Sequence, residues 1–348
     1  MDRLEYSIIV PAYQAEEEVG DCIRALNRQT VPRGCYEIIV ADDGSTDNTA
    51  AVAKEAGADR VLILAHQGPA AARNAGVDAA AGKIVLFTDS DCEPSPEWLE
   101  RMVGPFADRN VMGTKGTYQT RQRQLIARLV QLEFEIRYAR MAHMLRIDFV
   151  DGYAAAYRRD LLLRHGGFDP TYPIPSAEDV DFSFRVARAG HWLTFVPEAW
   201  VWHHHPTSLR VYLARKGRYG LWRALLYLRY PEKAQGDAHT DPALKAQFVL
   251  VALAGLLGLG GLVWWPLALA AAGSLLVFLA TTLPFVRWAW HQDRPVALAW
   301  PIIALLRVIV QGVGLAMGLV YHGLIARRHR TSIASKVKLD GAEKRVNR

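Results

Sequence analysis

The chain has 348 residues, 51% hydrophobic and 22% charged, with a formal net charge of +6. That length admits two units. Its three cysteines (Cys22, Cys35 and Cys92) have no Cys-x-x-Cys spacing, which argues against a zinc site or a disulfide framework. The basicity is local: from Arg327 on, eight basic residues stand against two acidic ones, and this tail alone accounts for the whole net charge. With no basic face paired to a known nucleic-acid module, no nucleic-acid partner is expected.

The start carries no signal-peptide pattern, so the soluble part is expected in the cytoplasm. Tyr6 to Val10 reads as a strand stopped by Pro11. Val19, Cys22, Ile23 and Leu26 lie at helical spacing, with Glu16, Glu17 and Glu18 where the helix dipole favours them. Glu37 to Ala41 is a second strand, ending in Asp42-Asp43-Gly44-Ser45-Thr46-Asp47, a turn with N-cap candidates for a helix to Glu55. Strands over Val61–Leu64 and Ile84–Thr88 bracket a helix from Gly68 to Ala80. Alternation at this spacing predicts a mostly parallel sheet with helices on both faces.

The fourth strand runs straight into Asp89-Ser90-Asp91. Ligands of open α/β sheets collect where strands end. Two carboxylates there make a hard, oxygen-rich site suited to Mg²⁺ or Mn²⁺ holding a phosphate, although Asp-x-Asp alone is common in turns. Beyond it, Ser95 and Pro96 are read as N-cap and first position of a helix. A strand over Val111–Tyr118, a long helix over Arg121–Leu145, strand and turn over Asp148–Tyr157 and a helix opened by Ala177-Glu178-Asp179 follow. Two short strands, Trp192–Val196 and Trp200–Trp202, lead into His203-His204-His205. Neighbours on an extended chain point different ways, so one or two of these histidines at most can meet one ion. His205 or His203 is expected to contribute.

Five stretches in order resemble family 2 glycosyltransferases of GT-A fold. They are Ile9-Val10-Pro11-Ala12-Tyr13, Val40 to Asp47, Gly68 to Gly76, Asp89-Ser90-Asp91, and Gly166-Gly167-Phe168-Asp169 followed by Ala177-Glu178-Asp179. The resemblance covers roughly residues 5 to 206. It implies a nucleotide-sugar donor, with UDP favoured, and Mg²⁺ or Mn²⁺ as cofactor. Pro11, Ala12 and Tyr13 would line the base and ribose pocket. Asp42 would read the base or ribose beside Asp43, and Arg73 would contact the nucleotide. Asp89 would meet the ribose or the metal's water next to Ser90, and Asp91 would ligate the metal, with His205 as a further ligand. Asp179 would be the general base of a single inverting displacement, and Glu178 would support it or hold the acceptor.

The C-terminal part is read from composition. Residues 1–206 are expected as the catalytic domain, 207–245 as an interfacial linker, 246–326 as a membrane region of two to three helices, and 327–348 as the basic tail. Leu209 to Tyr230 mixes six cations with five aromatic residues and no acid, as in a helix lying among head groups. Three apolar segments follow, at about 248–265, 267–286 and 297–325, each close to or above the roughly 20 residues of a crossing. Arg287 and Arg294 mark the loop between the last two as cytoplasmic. Three crossings would export the basic tail, against the positive-inside rule, and Pro301, Arg307 and Gln311 interrupt the third segment.

Together these features predict an inner-membrane enzyme, multi-pass and with its catalytic domain in the cytoplasm. It would add one sugar to a lipid or lipid-linked acceptor. Two alternatives stay open: a processive polysaccharide synthase, and an inactive nucleotide-sugar-binding scaffold. Synthases usually carry Gln-x-x-Arg-Trp, from which Arg215-Lys216-Gly217-Arg218-Tyr219 departs.

Overall fold

A computed structural model describes residues 4–172, 174–237 and 240–346. Its first elements are β1 (Tyr6–Ala12), α1 (Val19–Leu26), β2 (Tyr36–Asp42), α2 (Thr49–Glu55), β3 (Arg60–Ile63), α3 (Pro69–Ala79) and β4 (Ile84–Phe87). Their apolar residues alternate between two cores. Ile8, Val10, Ile38, Val40 and Leu86 pack with Val19, Ile23 and Leu26 of α1 on one face. Ile9, Ile39, Val85 and Phe87 pack with Ala70 and Val77 of α3 on the other. Strands buried on both faces need near-continuous apolar runs, and that requirement made them legible.

Next come β5 (Cys92–Pro94), α4 (Trp98–Val103), β6 (Val111–Gln119), α5 (Leu125–Met141), β7 (Ala155–Arg158), α6 (Arg159–Arg164), α7 (Glu178–Arg188) and β8 (Trp192–His203). All eight strands form one sheet in the order β3-β2-β1-β4-β7-β6-β8-β5. The pairs among β1 to β4 are parallel, as is β6 with β8. β7 is antiparallel to both its neighbours, and β5 is antiparallel to β8. The sheet is therefore mixed, and the parallel expectation holds for its first half. Helices still separate the strands from β5 on, but β7 enters the sheet between β4 and β6 running against both.

Three further differences are local. β8 is one continuous strand rather than two, its register against β6 shifting between Lys115 and Thr117 so that the sheet absorbs Pro197 without breaking. α4 starts after Glu97, because the Ser95 N–H donates to the Trp200 carbonyl at 3.1 Å and ties the expected cap to β8. α5 is shorter than expected at both ends.

The C-terminal part forms α8 (Leu209–Arg229), α9 (Pro242–Gly261), α10 (Pro266–Trp290) and α11 (Arg294–Val346). Among the described residues, three stretches are long and apolar enough to cross a membrane: Ala243–Gly261, Pro266–Trp290 and Arg294–Leu324. Side chains of the basic tail lie outside the described ones.

The chain divides into two units. One comprises Met1–Leu209, Asp237–Ala243 and Thr282–Pro301; the other comprises Arg210–Gly236, Leu244–Thr281 and Ile302–Arg348. Within the second unit, Arg307 donates to Gln247 at 3.3 Å and Gln247 to Thr281 at 3.0 Å, a polar chain linking three apolar helices.

Candidate active site

The parallel strands end along one edge, which carries the residues expected to meet a donor. Ala12 pairs with Asp42 across β1 and β2, and the Asp43 N–H donates to the Ala12 carbonyl at 2.8 Å. Asp42 is buried and accepts from the Ser45 N–H on Oδ1 at 2.9 Å, closing its own turn. Asp43 accepts from the backbone of Gln67 and Gly68 at 2.9 and 2.8 Å, fixing the approach to α3. Gly68 takes φ +94, a conformation that glycine adopts without cost. Tyr13 stands 48% exposed, its ring stacked on His66 at 4.2 Å. Pro11 is half-buried and Ala12 buried at the strand end.

Arg73, on α3, is 5% exposed and bridges the end of β4 to the start of α7. Its Nη1 meets Glu178 Oε1 at 2.7 Å and its Nη2 meets Asp89 Oδ1 at 3.2 Å. Burial works to lower the guanidinium's pKa, but Glu178, Asp89 and Asp179 outweigh it, so the group stays charged. The next residue, Asn74, exchanges two hydrogen bonds of 2.8 Å with the Phe168 backbone. That clamp holds the Gly166-Gly167 turn, where a Cβ on Gly167 would lie 2.3 Å from Asn74 Oδ1.

Burial raises the Asp89 carboxyl above its ordinary range, with Arg73 pulling it down and Asp91 pushing it up. Ser90 is half-buried between the two carboxylates. β5 and β8 pair Cys92 with His203, which brings His203 Nδ1 to 3.4 Å from Asp91 Oδ1. Burial acts to raise Asp91, but His203 wins and its carboxyl lies below the ordinary range. Asp91, Cys92 and His203 group their ligand atoms within 4.8 Å. Burial pushes the Cys92 thiol up, so it stays protonated; the carboxylate and imidazole are the donors that fit Mn²⁺ or Mg²⁺.

His205 sits elsewhere. Its Nε2 lies 3.0 Å from Gln131 Oε1 and its N–H donates to Gln122 at 2.6 Å, so it fastens the strand's end to α5. The alternation of an extended chain puts His203 and His205 on one side, but only His203 lies opposite β5. Of the two histidines expected as candidate ligands, the structure sets His203 beside Asp91 and His205 away from it.

Asp179 opens α7 and accepts from the Gly152 N–H at 2.9 Å and from the Val180 N–H at 2.8 Å. Burial, then Glu178 and Asp151, raise its carboxyl to about 7. Glu178 is buried, with Oε2 accepting from the Ser176 N–H at 3.0 Å. Behind them, Lys115 is fully buried, ion-paired to Asp151 and 3.1 Å from the Tyr153 hydroxyl. Burial lowers the Lys115 pKa and Asp151 restores part of it. Sequence reasoning named both His203 and His205 without separating them, and missed Lys115 and Asp151 altogether. A lone lysine in an otherwise half-apolar strand was the available signal.

Residues 7–166 match the family model described as Glycosyl transferase family 2. The chain is 33% identical over 235 residues to a pre-mycofactocin glycosyltransferase of Mycobacterium tuberculosis, covering 65% of this chain and 50% of that one. It is 32% identical over 122 residues to WfgD of Escherichia coli, named as a UDP-Glc:α-D-GlcNAc-diphosphoundecaprenol β-1,3-glucosyltransferase; this covers 34% of this chain and 47% of that one. The chain thus spans about half the length of these curated relatives. Its fold is similar to the mannosyltransferase PcManGT of Pyrobaculum calidifontis, solved with GDP-Man and Mn²⁺, with a TM-score of 0.60 and 20% identity over 90% of this chain and 87% of that one.

Proposed function

We propose that this chain, whose residues 7–166 match the Glycosyl transferase family 2 model, moves one sugar from a nucleotide-sugar donor, UDP-linked, to a lipid or lipid-linked acceptor, with inversion. The catalytic domain faces the cytoplasm, and the apolar helices fix the protein in the inner membrane. One observation carries the reading: the Glu178–Arg73–Asp89 chain ties the helix bearing Asp179 to the Asp-x-Asp end of β4. Donor and acceptor carboxylates thereby share one buried cation, as a transfer between two substrates requires.

The residue roles follow from the geometry. Tyr13 offers a flat ring to a base. Asp42 uses Oδ1 on its own turn and leaves Oδ2 for the base or ribose. Asp89 lies between Arg73 and Asp91, where a ribose hydroxyl or the metal's water would meet it. Asp91 and His203 would hold the divalent ion, which as a Lewis acid offsets the charge growing on the departing diphosphate. Asp179 takes the proton of the acceptor hydroxyl as that oxygen bonds to the anomeric carbon. The bond from that carbon to the diphosphate breaks on the opposite face, so the configuration inverts. A carboxyl held near 7 is matched to accepting a proton at neutral pH.

The lipid side of the proposal is supported by the apolar helices and by WfgD, whose name gives a diphosphoundecaprenol-linked acceptor. PcManGT, solved with GDP-Man and Mn²⁺, supports the metal and makes GDP the donor nucleotide to compare. The test is a donor screen: full chain, Mn²⁺ or Mg²⁺, UDP- and GDP-sugars, native lipid extract, product read by mass. One added hexose on a lipid is expected. A ladder of additions would favour the processive synthase, and donor binding without product would favour the scaffold.

A further inference from the structure

α5 holds two of the places where the chain returns from its apolar helices. Arg140 Nη1 donates to the Thr240 carbonyl at 3.4 Å, just before α9. Arg128 pairs with Asp293 at 2.8 Å, between α10 and α11. The start of α9 and the end of α10 therefore lie on one side, and the two helices form a hairpin with Trp264-Trp265 at its tip. Val263 and Trp265 there are 93% and 69% exposed, as befits a turn at the far interface.

α8 begins at Leu209, four residues after His205 is fastened to Gln122. Beyond its other end, the Lys233 carbonyl accepts from Lys245 Nζ at 3.4 Å, one turn into α9. Its 21 residues make a rod of about 31 Å, long enough to cross a bilayer. Within the second unit, the Lys233–Lys245 contact returns the chain after α8 to the first turn of α9, and Arg307 and Gly312 of α11 meet Gln247 and Phe248 one turn further on. α8 carries six cations, Arg210, Arg215, Lys216, Arg218, Arg223 and Arg229, and its sequence has no acidic residue. Such residues are costly in hydrocarbon and favourable against anionic head groups.

α11 lies directly against α8. A Cβ on Gly314 would sit 2.1 Å from the Gly217 carbonyl oxygen, one on Gly220 2.2 Å from that of Gln311, and one on Gly318 2.2 Å from that of Leu221. The Trp222 and His322 rings lie 5.1 Å apart, tilted by 46°. The partners ascend together, from Gly217 beside Val310 to Trp222 beside His322, so the helices are parallel. Backbones this close share one environment. The large side chains exposed on α11 between Ile309 and Leu324, Leu319 and Tyr321 included, form one broad apolar stripe.

We propose that α11 does not cross the bilayer from about residue 310 on. It lies with α8 in the head-group layer, on the side from which α9 starts, its apolar stripe in the acyl boundary and the cations of α8 against anionic lipid. The chain then crosses twice, and its first and last residues lie on the same side. This arrangement keeps the basic tail where the positive-inside rule expects it, which three crossings do not.

The test uses the full chain with topology reporters at Met1, after Trp265 and after Arg348, each in a separate version. Both end reporters are expected in one compartment and the Trp265 reporter in the other. End reporters on opposite sides would overturn the proposal, as would a Trp265 reporter on the side of the ends. If both ends read outside, the cytoplasmic orientation proposed above fails while this inference stands. Amide exchange of α8 in nanodiscs tests the lipid: about tenfold slower exchange with phosphatidylglycerol than with phosphatidylcholine alone is expected. Equal exchange would overturn the anionic-lipid partner.

Discussion

The donor and acceptor sides hold their carboxylates in opposite ways. Asp42 and Asp43 accept from backbone N–H groups of their own turn and of the approach to α3, so the fold fixes them. Glu178, Asp179 and Asp151 instead crowd near two buried cations, Arg73 and Lys115, and burial with the neighbouring charges decides the state of Asp179. The first side is a frame that a ligand enters. The second is an electrostatic setting in which one carboxyl, Asp179, is left able to take a proton. A transferase needs both, because the donor must be positioned and the acceptor must be activated.

Replacing Asp179 by Asn should break the contrast most sharply. Asn keeps the shape but takes no proton, so turnover should fall by about 10²–10⁴-fold, the usual worth of a general base. Donor affinity, measured by titration with a non-transferable donor analogue, should stay within about twofold, since a twofold change is only ~0.4 kcal/mol. Unchanged turnover would remove Asp179 from the chemistry. Arg73→Met comes next. It leaves Glu178 and Asp89 buried without their cation, and losing one partner of a buried pair typically costs about 3–5 kcal/mol. A thermal melt of the purified full chain should show the loss, and an unchanged melting temperature would contradict the shared-cation picture.

The acceptor side should also show itself through pH. In the unfolded chain the Asp179 carboxyl loses its proton near its ordinary value of about 4, whereas in the folded chain it keeps it up to about 7. Between those values the folded state binds more proton, so this group's contribution to stability falls as pH rises. Asp179→Asn should therefore gain stability over the parent as pH rises from 4 to 8, by roughly 2–4 kcal/mol at the top. The parent's kcat/KM should rise about tenfold per unit of pH below 7 and then level off. A flat profile in both measurements would place Asp179 among ordinary carboxylates.

The same contrast explains what the sequence disclosed. Asp42, Asp43, Asp89 and Asp91 follow apolar strands directly, and a strand end is visible locally. The Gly166-Gly167 turn was visible as a motif, although its clamp by Asn74 spans 94 residues and was not. β5 has only three residues and ends in Pro94, too short for any periodicity, so the pairing that sets His203 rather than His205 beside Asp91 was hidden. Lys115 and Asp151 are 36 residues apart and meet only through the β6–β7 pairing that follows the parallel half of the sheet. Composition found the apolar helices because hydropathy is local. It could not tell a crossing from a helix seamed by glycines to a cationic neighbour, because that depends on which helix lies alongside.

The smallest expected effect lies on the donor side and concerns Tyr13. Its ring stacks on His66, whose Nδ1 lies 3.0 Å from Asp43, so the platform is braced by the same turn that positions Asp42. Tyr13→Phe keeps the ring and should leave donor KM nearly unchanged. Tyr13→Ala removes it and should raise KM by about tenfold, near the lower end of what base–aromatic stacking contributes, with kcat held. A frame that only positions the donor predicts that split. If Tyr13→Ala lowers kcat instead, the ring acts on the reacting centre, and the division between a positioning side and an activating side would have to be redrawn there.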